Sequence, residues 1–315
     1  MRAITVSEYG AAATVTELPD PQPGPGQISI KIIAAGVNPM DRALADGAWQ
    51  ALMPATFPFI LGADLAGTVQ GAGDSATRFS PGEEVFGQLL LPPLGSVGTY
   101  AEQVAVSADA PLARIPAGLR PDVAAALPTP GGTALSIVDS LPPLTGRTAL
   151  IVGAAGGVGS FVTQLAAQAG AHVIAGVRES DAERVRGYGA AETVDYTVVA
   201  LADAVRQTHP DDIDVLIDVA SDADGFAGLA ALIRTGGTAV TTKYVADHDA
   251  LAAAGVDGIN FQLTLSSAVL ERLAELVRSG RLEPPPLTGV KLDDVPTTLF
   301  GERANRVDGK AIVIP

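Results

Sequence analysis

The chain has 315 residues, no cysteine and a formal net charge of −15 at pH 7. The missing cysteines exclude disulfides and thiolate chemistry, and the acidic balance disfavours nucleic acids and anionic membranes as partners. Hydrophobic residues make up 47% of the chain and charged residues 17%, which is typical of a globular protein with room for two domains. The sequence shows no secretory signal pattern and no run of membrane-spanning length, so we expect a cytoplasmic protein.

Residues 1 to about 120 carry the pattern of a β-rich domain. Short β-branched or alternating apolar runs are separated by turn clusters rich in proline and glycine, such as Pro19–Gly26. This texture is typical of a compact barrel or sandwich rather than of a doubly wound sheet. The predicted strands are Ala3–Val6, Ile28–Ile33, Leu65–Gln70 and Tyr100–Val106.

From about residue 121 the pattern changes to alternating strands and helices, which predicts βαβ units and a parallel sheet. The tail carries a helix opened by Ser267 and a closing strand, Ala311–Pro315, which suggests a return to the first domain. We therefore predict an α/β protein with a substrate domain of residues 1–120 and 261–315 and a nucleotide-binding domain of residues 121–260. The strands predicted in the second domain are Thr148–Val152, His172–Val177, Thr193–Asp195, Val215–Val219 and Thr238–Thr241.

A glycine-rich turn follows the first of these strands and precedes a helical pattern. Strand, glycine turn and helix in this order are the context of a dinucleotide-binding motif. Gly156 would let the backbone approach a pyrophosphate, and Gly159 would let the helix pack close to the strand. The alternative is a tight strand–helix turn with no ligand. The residues predicted to bind the cofactor here are Ala154, Gly156, Gly157, Val158 and Gly159.

Arg178 follows the second strand, at the place where NAD-binding domains usually carry a carboxylate for the ribose hydroxyls. A guanidinium there suits a 2′-phosphate, so the sequence favours NADP(H) as the cofactor. The alternative is a surface arginine that pairs with Glu179 or Asp181. Ser180 is the predicted N-cap of the helix that follows.

The three histidines, His172, His209 and His248, are interpreted as ordinary surface or packing residues. A zinc site would need several histidine, cysteine or carboxylate ligands that converge, and no short motif predicts such a set. The sequence therefore predicts no metal site.

Asn38 precedes Pro39, and a helix is predicted to begin there with Asp41 in its first turn. The two side chains are either part of a site or purely structural caps. Asp64 lies in a small-residue segment, where it is either a cap or an anchor for a neighbouring polar group.

Five segments resemble the zinc-independent quinone oxidoreductase branch of the medium-chain dehydrogenase/reductase superfamily. They occur in the order of that family and span nearly the whole chain. The resemblance implies a GroES-like substrate domain followed by a Rossmann domain, a homodimer, and an active-site cleft between the domains. The segments are AGVNPMD at 35–41, LGADLAG at 61–67, RFSPGEEVFG at 78–87, AAGGVGS at 154–160 and GKAIVIP at 309–315.

The resemblance also implies roles for individual residues. Zinc-dependent relatives place a cysteine ligand near Asn38 and a histidine ligand near Ala63, and this chain has neither. Some family members carry a tyrosine where this chain has Ala43, so that phenolic donor is missing. The residues implied at the nicotinamide and substrate are Asn38, Asp41, Thr133 and Tyr244. Tyr196, Ala220 and Lys243 are predicted at the rest of the cofactor, together with Arg178, which its position after the second strand already indicates.

These patterns predict an NADPH-dependent reductase that transfers a hydride to a small-molecule quinone or activated enone without a metal. The nicotinamide supplies the hydride, and the protein supplies positioning and hydrogen-bond donors. The alternative is a nucleotide-binding sensor or structural protein with little turnover, because a fold does not by itself imply an activity.

Overall fold

The computed structural model describes residues 1–211, 213–301 and 309–315. Contacts between residues divide the chain into two units. Unit 1 comprises Met1–Gly132 and Leu265–Pro315, and unit 2 comprises Thr133–Thr264. The sequence predicted the boundaries at 120/121 and 260/261. The structure divides the chain slightly later in each case, after Gly132 and after Thr264.

The N-terminal part of unit 1 consists mainly of short antiparallel strands. Tyr100, which was predicted to open a strand, precedes it, because its N–H pairs with Leu61 O and its carbonyl accepts from Ile4 N. The elements are β1 (Arg2–Val6), β2 (Thr14–Glu17), β3 (Gln27–Gly36), α1 (Pro39–Ala45), β4 (Phe59–Ile60), β5 (Asp64–Ala72), β6 (Glu84–Gln88), β7 (Gln103–Ser107), β8 (Leu112–Arg114) and α2 (Pro121–Ala125).

Strands and helices alternate through the following residues, and α3 runs across the division between the units. The elements are α3 (Pro128–Ser140), β9 (Thr148–Val152), α4 (Gly157–Gln168), β10 (His172–Val177), α5 (Glu179–Gly187), β11 (Glu192–Asp195), α6 (Leu201–Thr208), β12 (Ile213–Asp218), α7 (Ala223–Ala230), β13 (Ile233–Thr241), α8 (His248–Ala253) and β14 (Asp257–Asn260).

Unit 2 contains a parallel six-stranded sheet in the order β11-β10-β9-β12-β13-β14. The strand order reverses between β9 and β12, and in open α/β sheets ligands bind at the carboxyl ends of the strands beside such a reversal. The sequence prediction of a doubly wound parallel sheet is confirmed. It missed β14, because Asp257–Asn260 is short and half polar.

The C-terminal residues return to unit 1, where β16 pairs antiparallel with β3. A seven-stranded sheet results, in the order β15-β16-β3-β5-β6-β8, with β7 paired to β3. The elements are α9 (Ser267–Arg278), β15 (Leu287–Lys291), α10 (Val295–Thr298) and β16 (Lys310–Ile314).

Each unit has its own apolar core. Fully buried side chains of unit 1 include Ile28, Ile30 and Leu65, and those of unit 2 include Leu150 and Leu216. None of the described helices is both long and apolar enough to cross a membrane.

Candidate functional site

The glycine-rich turn lies at the carboxyl end of β9. Gly153 turns the chain with φ +81°, a value that favours glycine, and Gly156 is the N-cap of α4. Gly156 offers no side-chain cap, and the first turn of α4 carries no acidic residue. The first N–H groups of a helix have no partner within it, so α4 presents an uncompensated positive end at this turn.

Two glycines of the turn serve different purposes. A Cβ on Gly159 would lie 2.1 Å from Gly153 O and 2.7 Å from Ala154 Cα, so the packing of helix on strand requires glycine there. A Cβ on Gly156 would meet only Gly153 O, at 3.3 Å. Packing within the protein therefore does not require glycine at position 156. The close approach of a ligand to the backbone would explain why a glycine is present there.

The other predicted cofactor residues also lie at the carboxyl ends of parallel strands. Arg178 follows β10, Tyr196 follows β11, Ala220 lies just beyond β12, and Lys243 lies just beyond β13. The structure therefore places the whole predicted set, with the glycine turn, along one edge of the sheet. Tyr196 is 48% exposed and would be available to a ligand.

Arg178 is the N-cap of α5, so the prediction that Ser180 caps this helix is wrong. The carboxylate of Asp195 caps the helix instead, because it accepts a hydrogen bond from Glu179 N at 3.1 Å. A side chain from a distant part of the chain can satisfy an N–H of the first helical turn in this way.

Arg178 is half-buried, and its guanidinium forms no ion pair or hydrogen bond with another described residue. The alternative pairing with Asp181 does not occur, because Asp181 pairs with Arg184. Arg178 lies close enough to Asp195 to help lower the pKa of that carboxyl, although hydrogen bonds from Thr197 are the main cause. Arg178 is thus available to an anion at the end of β10.

Asp218, which the sequence analysis did not single out, ends β12 and is fully buried. Its Oδ1 accepts hydrogen bonds of 2.9 Å from Ala220 N and from Ser221 N. Its Oδ2 is buried and has no partner among the described residues. A buried acceptor without a partner costs free energy, so Asp218 Oδ2 is an unsatisfied group at the same sheet edge. The only sequence signal is a carboxylate at the end of an apolar strand.

Asn38 and Asp41 lie in unit 1, at the start of α1, as predicted. The Asp41 carboxylate reaches back to Asn38 N at 2.7 Å, which is half of a capping box. The Asn38 carboxamide donates from Nδ2 to Asp64 at 2.9 Å and accepts from Lys310 Nζ at 2.6 Å. Asn38 is thus a helix cap and also a link between two charged groups.

Asp41 is 2% exposed, and its two oxygens differ. Oδ2 accepts from Tyr100 OH at 2.6 Å in addition to Asn38 N, whereas Oδ1 has no partner among the described residues. Burial is the main cause that raises the pKa of Asp41 to about 7, against the lowering effect of its hydrogen bonds. Tyr100, which sequence reasoning missed, is fully buried, and its hydroxyl donates to Asp41.

Asp64 is fully buried and takes both of the roles considered for it. Its carboxylate accepts from Thr129 N at 3.0 Å and Thr129 Oγ1 at 2.6 Å, and so caps the first turn of α3 while it anchors Asn38. Burial raises the pKa of Asp64, and the nearby Lys310 ammonium is the largest opposing effect. Lys310 is the first residue of the buried strand β16. A charged residue in such a strand is the sequence signal that could have identified it as part of the site.

The four predicted nicotinamide and substrate residues are divided between the units. Asn38 and Asp41 share one network in unit 1, whereas Thr133 and Tyr244 belong to unit 2. Thr133 is 6% exposed within α3. Tyr244 is 54% exposed and has φ +59°, a left-handed conformation that is rare for such a residue and concentrates at functional sites.

The residues of unit 1 do not fit a catalytic zinc ion of the kind found in zinc-dependent relatives. Ala63 offers no ligand atom, and Asn38 Oδ1 already accepts from the Lys310 ammonium at 2.6 Å. A dication beside this ammonium would be repelled. Asp41 instead borders a small, mostly apolar pocket that also includes Leu44, Phe59, Ala63, Leu89 and Leu94.

A doubly wound sheet with a glycine turn, together with a separate β-rich unit, is an arrangement that suits a two-domain dehydrogenase or reductase. Two family models match the chain, "Alcohol dehydrogenase GroES-like domain" over residues 24–117 and "Zinc-binding dehydrogenase" over residues 157–262. The mouse mitochondrial NAD(P)H oxidoreductase RTN4IP1 is 29% identical, over 92% of this chain and 82% of the relative.

Two further proteins are similar along the whole chain. The 2-methylene-furan-3-one reductase of Solanum lycopersicum is 28% identical, over 100% of this chain and 79% of the relative. The crystal structure of a quinone oxidoreductase from Pseudomonas syringae pv. Tomato DC3000 has a TM-score of 0.87 and 26% identity, covering 100% of this chain and 99% of that one. The chain belongs to the medium-chain dehydrogenase/reductase superfamily of oxidoreductases, in its quinone oxidoreductase-like group.

Proposed function

We propose that the protein is an NADPH-dependent reductase that transfers a hydride to quinones or to the activated C=C bond of enones, without a catalytic metal. The observation that carries the proposal is the carboxyl edge of the unit 2 sheet, where the Gly156 turn opens onto the uncapped N-terminus of α4. Such a terminus binds phosphate through free N–H groups and the helix dipole. The names of the tomato and Pseudomonas proteins support an enone or a quinone as the substrate.

The residues of unit 2 bind and orient the cofactor in this proposal. The N–H groups at Gly157 and Val158 hold the pyrophosphate, and Arg178 pairs with the 2′-phosphate that distinguishes NADPH from NADH. Tyr196 and Lys243 contact the adenosine and nicotinamide portions. When bound, the cofactor supplies the hydride.

The residues of unit 1 stabilise the charge that develops on the substrate oxygen. Asp64 and Lys310 fix the Asn38 carboxamide, and the second Nδ2 hydrogen of Asn38 has no acceptor among the described residues, so it is the proposed donor. A donor held in place before the reaction requires no reorganisation when the oxyanion forms. Thr133 and Tyr244 are the other proposed donors. The substrate carbon gains the hydride, and a proton from water completes the reduction.

The test is steady-state oxidation of NADPH and, in parallel, of NADH by the purified protein with a panel of quinones and enones. We expect saturable turnover with at least one of these acceptors and a higher kcat/KM with NADPH. A variant with Gly156→Val, which fills the space at the turn, provides the background rate. Tight NADPH binding without turnover on any acceptor would instead support a sensor or structural protein.

A homodimer and a cytoplasmic location, both expected from the sequence, stay predictions. Sedimentation of the purified chain would test the first, and fractionation of the source cells would test the second.

A further inference from the structure

Three side chains with metal-binding atoms meet at the opposite edge of the unit 2 sheet. His172 opens β10, Glu192 opens β11, and His209 follows α6. Both imidazoles direct Nε2 at the same oxygen, Glu192 Oε1, at 2.5 Å from His172 and 3.0 Å from His209. Their ligand atoms all lie within 4.8 Å of one another, and no other group of three or more histidine or acidic residues in the described ranges has this arrangement.

The surroundings of this cluster suit a cation from solution. The exposed side-chain fractions are 43% for His172, 33% for Glu192 and 20% for His209, so an ion can enter from solvent. The carboxylate of Glu192 lies between the two imidazoles, so the cluster offers two nitrogen ligands and one oxygen ligand.

We propose that His172, Glu192 and His209 form a binding site for a transition-metal dication such as Zn²⁺ or Ni²⁺. Two imidazoles and one carboxylate are a ligand set that these ions favour, whereas Mg²⁺ and Ca²⁺ require oxygen ligands. With metal–ligand distances of about 2.0–2.2 Å, tetrahedral ligands lie roughly 3.3–3.5 Å apart, so each Nε2–Oε1 distance needs to widen by about 1 Å or less. Water completes the coordination on the exposed side.

The site is separate from the proposed chemistry. The ligands lie at the amino ends of β10 and β11, whereas the glycine turn lies at the carboxyl end of the neighbouring strand β9. The six-residue length of β10 separates the two ends of the sheet by about 16–20 Å. A bound ion would link the starts of two neighbouring strands to the end of α6. It would therefore stabilise unit 2 by mass action without taking part in hydride transfer.

The experiment uses the untagged full-length chain, stripped of metal with a chelator, and isothermal titration with Zn²⁺ and then Ni²⁺. We expect one equivalent to bind per chain and the thermal midpoint to rise when the ion is present. H172Q and H209Q, tested separately, should each weaken binding by about tenfold or more. H248Q is the matched control and should bind like the wild type, since His248 bonds Asn260 elsewhere in unit 2.

Three results would overturn the proposal. Stoichiometric binding that survives both H172Q and H209Q would place the ion elsewhere on this acidic chain, as would its displacement by excess Mg²⁺. Absence of binding by the wild type at micromolar Zn²⁺ and Ni²⁺ would remove the site. The absorption spectrum of the Co²⁺-loaded wild type provides a readout independent of stability, because imidazole ligation at low coordination number should give intense visible bands that H172Q loses.

Discussion

The polar residues of unit 1 and those at the carboxyl edge of the unit 2 sheet are arranged in opposite ways. In unit 1, Asn38, Asp41, Asp64 and Lys310 are all less than one-tenth exposed and bond mainly to one another. In unit 2, the α4 N-terminus is uncapped and Arg178 has no partner among the described residues. In the first region most polar groups are paired within the chain, with Asp41 Oδ1 as an exception, whereas the second presents several unsatisfied groups that a ligand would pair.

This difference separates two kinds of sensitivity. A buried network with few free groups should show damage mainly as lost stability, because removal of one charge leaves another without a partner. An open edge should show damage mainly as lost ligand affinity, because the folded chain makes few contacts there. Each of the following changes tests one side of this contrast.

Replacing Lys310 with methionine should have the largest effect. The change keeps the bulk of the side chain but leaves Asp64 and Asp41 buried without a cation, which should cost about 3–5 kcal/mol of the free energy of unfolding. Urea denaturation measures this cost. Lys31→Met, at an exposed position of β3, is the control and should change stability by less than about 0.5 kcal/mol. Equal losses in both variants would contradict the role of the network.

Asp41 should make stability depend on pH. Its folded pKa of about 7 lies above the unfolded value, so the folded state binds more protons between these values. The contribution of Asp41 to the free energy of unfolding should therefore be greatest below about pH 4. It should decline by at most about 4 kcal/mol as the pH rises through 7.

The variant Asp41→Asn should remove this decline, because the amide does not titrate. Asp46→Asn, at an exposed position just after α1, should preserve it. Urea midpoints measured at several pH values decide the matter: the same slope in wild type and Asp41→Asn would place the titrating group elsewhere.

Asn38→Ala should lower kcat more than it raises KM, by roughly 10² if the carboxamide donates to the developing oxyanion. Steady-state rates measure the split, and Asn260→Ala in unit 2 controls for deletion of an amide. If kcat were unchanged while stability fell, Asn38 would be a structural cap and link only.

Arg178→Ala should weaken NADPH binding by about 1.5–3 kcal/mol, the range for hydrogen bonds to charged groups, and leave NADH binding nearly unchanged. Fluorescence titration of both cofactors is the measurement. Arg206→Ala, in which the lost arginine pairs with Asp203 on α6, is the control. Equal losses for NADPH and NADH would show that Arg178 does not contact the 2′-phosphate.

The two glycines of the turn should separate folding from binding. Gly159→Ala should destabilise the protein by about 1–3 kcal/mol, because its Cβ would overlap the backbone of the turn. Gly156→Ala should leave the thermal midpoint almost unchanged and weaken NADPH binding by roughly tenfold. A similar loss of stability in both variants would mean that packing, rather than a ligand, requires Gly156.

Much of the fold could be predicted because its signals are local. The strand, turn and helix from Thr148 to Gln168 follow from an apolar run, a glycine at positive φ and helical spacing within about 20 residues. The predicted cofactor residues follow the parallel strands, and the topology places the ends of such strands on one edge. A residue's position after a strand was therefore enough to locate it.

The contacts of the individual side chains could not be predicted in this way. Asn38 bonds to residues 26 and 272 positions away in the chain, and no local pattern pairs Tyr100 with Asp41. The sequence also did not predict that Asp218 Oδ2 is buried without a partner among the described residues, because burial at the end of β12 depends on long-range packing.

Composition, apolar periodicity and glycine positions were sufficient for the two-part architecture and for the glycine turn between a strand and a helix, because backbone preference and burial depend on neighbouring residues. Sheet order and long-range packing determined the buried charges of unit 1. They also determined the convergence of Glu192 with His172 and His209, two histidines interpreted from the sequence as ordinary surface or packing residues. Directional contacts between side chains exist only after distant segments have been brought together, so only the tertiary structure could reveal them.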